Sequence, residues 1–276
     1  DDFSCIVINW GDKVQNMREI AKQLNIGLDS LVFFDDDAVN REYVRKELPQ
    51  VHVPELPSDP SEYAKTLLSL NDFSTFQITA EDISRKKMYV QQKQRSELQN
   101  SSSNLIDFLK TLNLRVIIKK ADNFTIPRIS QLTLKTNQFN LTTKRYQKDE
   151  IEKFSTDDNI LIGSAQVIDK FGDNGITGVF IIKKEKTQEW ILDSLLLSCR
   201  IIGRKIENVI MNYIFDQAKK NSVKIIKTQF IPTEKNSAIK DFLPSCGFQK
   251  EGDFWIYHVE KPFKSLNFIS VEVDNV

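Results

Sequence analysis

Three apolar runs in quick succession, near residues 159–168, 176–183 and 189–197, constrain this chain more than any other feature. Each is rich in Ile, Leu and Val, and short polar stretches separate them. They predict three consecutive strands. Gly172-Asp173-Asn174-Gly175 supplies the turn between the first two. Around them the spacing predicts a strand at 116–118, helices near 125–136 and 147–154, and a long helix from Gly203 to about Lys219. A strand over 223–230, a helix from Asn236 to about Pro244 and a strand pair at 247–250 and 254–259 follow. The order is β-α-α-β-β-β-α-β-α-β-β.

The first seventy residues read differently. Cys5-Ile6-Val7-Ile8, Leu31-Val32-Phe33-Phe34 and Val51-His52-Val53 predict three short buried strands. Helices alternate with them. The first is capped by Asp12 with Gln15 three residues on, and ended by Gly27. The second carries Val39, Tyr43, Val44 and Leu48 at helical spacing, and the third runs over 61–70. Such alternation predicts a parallel α/β sheet. A polar helix from Thr79 to about Gln99, opened by a Thr79–Asp82 capping box, then a break at 100–103 and a helix over 104–112 form a connector. The expected organisation is a parallel α/β part over 1–71, a helical connector over 72–112 and an α/β domain over 113–276. The chain opens on Asp1-Asp2 and then an apolar stretch, so we expect further sequence upstream.

Composition narrows the chemistry. Lys and Arg number 38 and Asp and Glu 38, a formal net charge of +0 with no dense basic run, so a nucleic-acid partner is not expected. No apolar run approaches the roughly 18 residues of a membrane span, and no signal peptide is visible. Cys5, Cys199 and Cys246 are scattered and odd in number, which argues against a disulfide framework and for a cytoplasmic home. With His52 and His258 as the two histidines, a histidine-based zinc site or a Ser-His-Asp triad is not expected.

Asp35-Asp36-Asp37 ends the second predicted strand, where ligands bind in open α/β sheets. Adjacent carboxylates repel, so a cation is expected among them: a divalent metal, or Lys13 from the start of the preceding helix. Asp37 as a helix cap beside a solvated Asp35 and Asp36 is an equally simple reading. A third makes Asp35 a nucleophile in an Asp-Xaa-Asp strand, which requires a later lysine and acidic pair in a continuing sheet. Farther on, Cys199-Arg200-Ile201-Ile202-Gly203-Arg204-Lys205 lies between a strand and a long helix. Acetyltransferases hold the pyrophosphate of coenzyme A on an Arg/Gln-Xaa-Xaa-Gly-Xaa-Gly/Ala loop there. Arg200 and Gly203 fit that pattern and Arg204 adds charge, but Lys205 replaces the small residue. The alternative is that Gly203 merely opens a helix. Cys199 has no evident base beside it and reads as structural.

Several stretches resemble the FkbH-like proteins, a phosphotransferase domain of the HAD superfamily followed by a GNAT acetyltransferase-like domain. They are Asn9-Trp10-Gly11-Asp12-Lys13, the run from Leu24 to Asp37, Arg41-Glu42, Lys135 to Tyr146, Phe171 to Gly175, and Leu197-Ser198-Cys199-Arg200. The resemblance spans Asn9 to about Phe248. It implies that Lys13 steadies a phosphate, that Asp35 is oriented beside it and that Asp36 is a ligand to Mg²⁺. The nucleophile of that chemistry would lie in sequence absent here. The family often shows Asn-Pro after the acidic pair; this chain has Asp37-Ala38.

In the second domain the resemblance implies binding of coenzyme A or phosphopantetheine near Arg200, Gly203, Arg204 and Asn236. Many acetyltransferases carry a general-acid tyrosine after the phenylalanine that matches Phe242, and this chain has Leu243. The implied activity of the parent protein is loading a three-carbon (glyceryl) unit from a phosphorylated donor onto an acyl carrier protein, as in methoxymalonyl-type extender units for polyketides. A CoA-dependent N-acetyltransferase and a non-catalytic docking module remain alternatives. Asn137, Gln138 and Asn140 read equally well as ligand contacts or as ties for their own loop.

Overall fold

The computed structural model describes residues 3–73, 85–186, 188–260 and 266–274. The chain divides into two compact units, Asp1–Ser96 and Glu97–Val276.

In the first unit, helix α1 (Lys13–Leu24) starts where Asp12 accepts hydrogen bonds from the amides of Val14 (2.7 Å) and Gln15 (3.2 Å). That is the side-chain capping expected of an aspartate at an N-cap. The helix ends on Asn25 in the left-handed region (φ 52) rather than on Gly27. Asparagine tolerates that region, and Gly27 takes an ordinary φ of −74 before a short 3-10 turn. Helix α2 (Ala38–Glu47) is capped by Asp37, and α3 (Tyr63–Leu68) follows. Val14, Met17, Phe33, Val44, Leu48 and Val51 form the core.

The three expected strands are not there. Val32 and His52 make one isolated parallel bridge, with Phe33 N donating to His52 O at 2.9 Å. Residues 5–8 form no strand; Ile6 is 66% exposed and Ile8 90%. Apolar, β-branched sequence makes a strand through a ladder partner, and these residues have none among those described. The Thr79–Asp82 capping box falls outside the described residues. Helix α4 (Arg85–Ser101) ends inside the expected break, which falls at 102–104, and α5 (Leu105–Thr111) is capped by Asn104.

The second unit is a mixed α/β structure. Its strands are β1 (Arg115–Lys120), β2 (Phe139–Asn140), β3 (Ile160–Asp169), β4 (Gly172–Lys186), β5 (Glu189–Leu197), β6 (Ile225–Thr228), β7 (Gln249–Glu251), β8 (Phe254–His258) and β9 (Ser270–Asp274). The sheet order is β7-β8-β6-β5-β4-β3-β1-β9, with β2 beside β5. The β5–β6 and β1–β9 pairs are parallel and the rest antiparallel. Helices α6 (Ile126–Lys135) and α7 (Lys148–Ser155) cover one face, α8 (Ile206–Lys220) the other, and the short α9 (Phe242–Ser245) follows β6. The strands alternate accordingly. Val179, Ile181 and Leu196 pack with α6 and α7, while Phe180, Leu195 and Leu197 pack with α8.

Two details differ from expectation. Lys170 and Phe171 turn the chain between β3 and β4, because Asp169 pairs with Gly172. The glycine-rich stretch lies inside β4, where Asn174 and Gly175 (φ 70) make a bulge as the register shifts against Gln166 and Ile168. Strands β2 and β9 carry no periodicity long enough to announce them. Strand β9 is held to β1 partly by Arg115–Glu272 (2.6 Å) and Lys119–Asp274 (2.7 Å).

Candidate functional site

In the first unit, Lys13 Nζ lies 3.4 Å from Asp35 Oδ2. The Asp35 side chain is 12% exposed and that of Lys13 46%. The other Asp35 oxygen accepts from the Asp37 amide at 2.9 Å. Arg41 donates to the carbonyl oxygens of Asp35 and Asp36, both at 2.9 Å, and so fixes the acidic turn. Asp37 spends its carboxylate on the Val39 amide, and Asp36 is exposed. Tyr43 donates to Asp12 at 2.7 Å; that bond holds the Asp12 carboxyl below its usual range and pushes the Tyr43 phenol up. The turn therefore brings Lys13 and Asp35 together and presents Asp36 to solvent. Among the described residues no three His, Cys, Asp or Glu are grouped to hold a metal ion, so these side chains do not by themselves complete a Mg²⁺ site.

In the second unit, the loop before α8 opens over a cleft of about 720 Å³. Gly203 takes φ +83, and a Cβ there would meet nothing within 4 Å, so the loop backbone stays approachable. Ile202, Gly203 and Lys205 form one wall, and Ile239, Phe242 and Cys246 the other. Lys205 is also left-handed (φ 64), an uncommon conformation for a lysine, immediately ahead of the helix. Half-buried Arg200 donates through Nε to Ser198 Oγ at 3.4 Å.

Two expected ligand contacts serve the fold instead. Arg204 is 5% exposed, pairs with the buried Asp169 at 3.2 Å and donates to Arg200 O at 2.6 Å. A buried cation without a partner is costly, and Asp169 is the partner thirty-five residues away. Asn236 is fully buried. Its amide donates to Asn140 O and Ile231 O, both at 2.9 Å, and accepts from Thr233 N at 2.7 Å. Asn140 is also buried and ties its own loop by accepting from Thr143 N.

The parallel pairing of β5 with β6 stops at Leu192–Thr228. Beyond it, β2 pairs Phe139 with Leu197 and Asn140 with Leu196, Leu141 N donates to Leu195 O, and Leu141 O accepts from Ile231 N. The chain thus fills the free edge of β5 with its own backbone. Leu243 is 1% exposed in the core, and Tyr257 stacks on Phe215 with ring centroids 4.0 Å apart.

Sequence reasoning missed two carboxylates. Asp193, with its side chain 1% exposed on β5, accepts from Lys144 (2.6 Å), Lys183 (2.8 Å) and Tyr146 (2.6 Å). Burial raises the Asp193 carboxyl, but the two lysines and the phenol outweigh it and hold the group below its usual value. Burial, then the Asp193 bond, pushes the Tyr146 phenol up. A lone aspartate inside Trp190-Ile191-Leu192-Asp193-Ser194-Leu195 was the available signal. Glu207, the second residue of α8, is 9% exposed and lines the cleft. Its Oε2 is covered and has no hydrogen-bond partner, and burial pushes its carboxyl up.

Comparison with protein-family models and with curated proteins gives no match. Among solved structures, GNAT acetyltransferases resemble the chain over about half its length. The ribosomal-protein-S18-alanine N-acetyltransferase of Escherichia coli is 10% identical over 55% of this chain and 98% of its own, with a TM-score of 0.42. The N-acetylglutamate synthase of Neisseria gonorrhoeae, solved with coenzyme A and N-acetyl-glutamate, is 12% identical over 53% of this chain and 35% of its own, with a TM-score of 0.41. The N-terminal part of a Bacteroides fragilis protein, containing a phosphatase domain complexed with Mg, is 49% identical. That likeness covers 26% of this chain and 19% of the other, with a TM-score of 0.25. No described helix is long and apolar enough to cross a membrane.

Proposed function

We propose that this chain is part of an FkbH-like protein that moves a three-carbon acyl unit from a phosphorylated donor to an acyl carrier protein. In this reading the second unit receives the carrier's phosphopantetheine arm in the cleft ahead of α8. One observation carries it: the left-handed, open Gly203 over a cleft of about 720 Å³, a size suited to an organic ligand of roughly 300–1,000 Å³. Ile202, Gly203 and Lys205 would hold the arm, and Arg200 would set the loop above it. The arm, when bound, supplies the thiol that accepts the acyl group. The first unit would present Lys13 and Asp35 to the donor phosphate, with Asp36 as a ligand available to Mg²⁺.

The closed edge of β5 favours binding over acetyl transfer in the second unit, because an extended ligand cannot pair where Phe139–Leu141 already does. Leu243 in place of a tyrosine points the same way. The cleft then serves as a holding and docking site, with a CoA-dependent N-acetyltransferase as the reading it disfavours.

The test is calorimetric titration of the chain with coenzyme A and with carrier protein in its apo and phosphopantetheine-loaded forms. Saturable binding of coenzyme A and of the loaded carrier, weakened about tenfold or more by Arg200→Ala, is the expected result. Absence of binding to both, or equal affinity for apo and loaded carrier, would overturn the reading.

A further inference from the structure

Three features meet at Asp193, outside the cleft and outside the Lys13–Asp35 turn. The first is a bulge. Strand β4 pairs Ile181 with Ser194 and Ile182 with Leu192, so Asp193 is the extra residue of β5. Bulges re-aim side chains, often beside a functional site. This one turns Asp193 toward Lys183, which stands on the same side of β4 as Val179 and Ile181.

The second feature is Thr143. It takes φ 54, an outlier for a β-branched residue. It sits between Thr142, whose hydroxyl donates to Asp193 O at 2.8 Å, and Lys144, which reaches the Asp193 carboxylate. Asn140 accepts from the Thr143 amide at 2.9 Å and holds the turn that sends Lys144 back to β5. Strain of this kind persists where neighbours enforce it, and it clusters at ligand clamps and active sites.

The third feature is charge. Lys144 and Lys183 both bond the same oxygen, Asp193 Oδ1, at 2.6 and 2.8 Å. Tyr146 and Ser194 donate to the other oxygen. One buried carboxylate thus holds together two ammoniums that repel each other, and one positive charge is left over. Asp193 is closed to solvent, but the two lysine side chains are 38% and 34% exposed. Each ammonium has three donors and uses one on Asp193, so the rest are open to water side by side. Lys183 is steadied over the Phe154 ring, 5.8 Å from its centroid. Glu150, the other acid acting on Tyr146, accepts from the Gln147 amide at 2.8 Å.

A lysine serving solubility alone needs neither a buried carboxylate nor a strained turn, and a buried carboxylate needs one cation rather than two. Paired point charges, without the planar fork of arginine, suit the tetrahedral oxygens of a phosphate better than a flat carboxylate. We infer that Lys144 and Lys183 form an anion site that takes the phosphate group of a small ligand, with Asp193 and Thr143 as positioning residues. None of these residues lines the cleft ahead of α8, and the inference does not rest on the arm-binding reading.

The full chain, carrying ¹³C at the lysine ε-carbons, is titrated with inorganic phosphate at neutral pH and constant ionic strength and followed by NMR. Saturable shifts of the Lys144 and Lys183 signals are expected, with a dissociation constant of about 1–10 mM. Exposed Lys220, at the end of α8, is the control and should not saturate. Acetate should act on the same two signals at least about threefold more weakly. Lys144→Met and Lys183→Met should each weaken phosphate about tenfold or more while the chain stays folded. The titration of the unaltered chain stands without either variant. No saturable shift, the same response at Lys220, acetate bound as tightly as phosphate, or phosphate affinity unmoved by both substitutions would overturn the inference and leave the two lysines as architecture.

Discussion

The two units each set lysine against aspartate, and they do so at opposite extremes. In the first, Lys13 reaches Asp35 at 3.4 Å across a half-exposed turn, and the pair is held by local bonds within a few residues. In the second, Lys144 and Lys183 close on Asp193 at 2.6 and 2.8 Å inside the sheet, from segments 49 and 10 residues away along the chain (193 − 144 and 193 − 183). An exposed ion pair contributes little to stability and stays available for a ligand; a buried, fully bonded one is a structural commitment. The contrast separates the carboxylate suited to chemistry from the one suited to architecture.

Breaking the buried centre should have the largest effect. Asp193→Ala leaves the buried Tyr146 phenol without its acceptor and frees Lys144 and Lys183, which are 38% and 34% exposed and can turn to water, and should cost the second unit about 2–3 kcal/mol. Hydrogen exchange should accelerate across 115–228 and stay unchanged over 13–53. Next comes Asn236→Ala, which strands the buried carbonyls of Asn140 and Ile231 and should cost about 1–3 kcal/mol in denaturant unfolding.

The pH dependence follows from Asp193. Its folded value is depressed, so its contribution is complete above the unfolded carboxyl value of about 3.9 and is lost as pH falls through the lower folded one. Tyr146 is raised, so its contribution is complete below the ordinary phenol value of about 10 and is lost as pH rises beyond it. Melting temperature followed by tryptophan fluorescence should fall at both ends, and Asp193→Asn should flatten the acid limb. The smallest effect is expected from Asp12→Ala, which removes the α1 cap and the Tyr43 bond. Faster exchange confined to Lys13–Leu24 would be the result; unchanged exchange there would contradict the capping role of Asp12.

Sequence was readable where spacing is answered nearby. The α1 cap, α2 and the three consecutive strands β3, β4 and β5 lie within a few residues of their expected positions, because caps and periodicity are local. It was unreadable where the deciding partner is remote. Ile6 and Ile8 have strand composition but no ladder, Arg204 is committed by Asp169, and Asn236 by Asn140. Lys13 and Asp35 were paired correctly because one turn separates the elements that carry them. Asp193 was hidden by its own strand, and Glu207 by resembling an ordinary first-turn acid on a solvated helix face.

The closing strand β9 has a consequence in time. Strand β1 is among the first pieces of the second unit to leave a ribosome, and Arg115 meets Glu272 157 residues later. At about 5–20 residues per second, that edge waits on the order of ten to thirty seconds for its cover. During synthesis the open flank of Val116 and Ile118 is a surface that a chaperone or another nascent chain can find first.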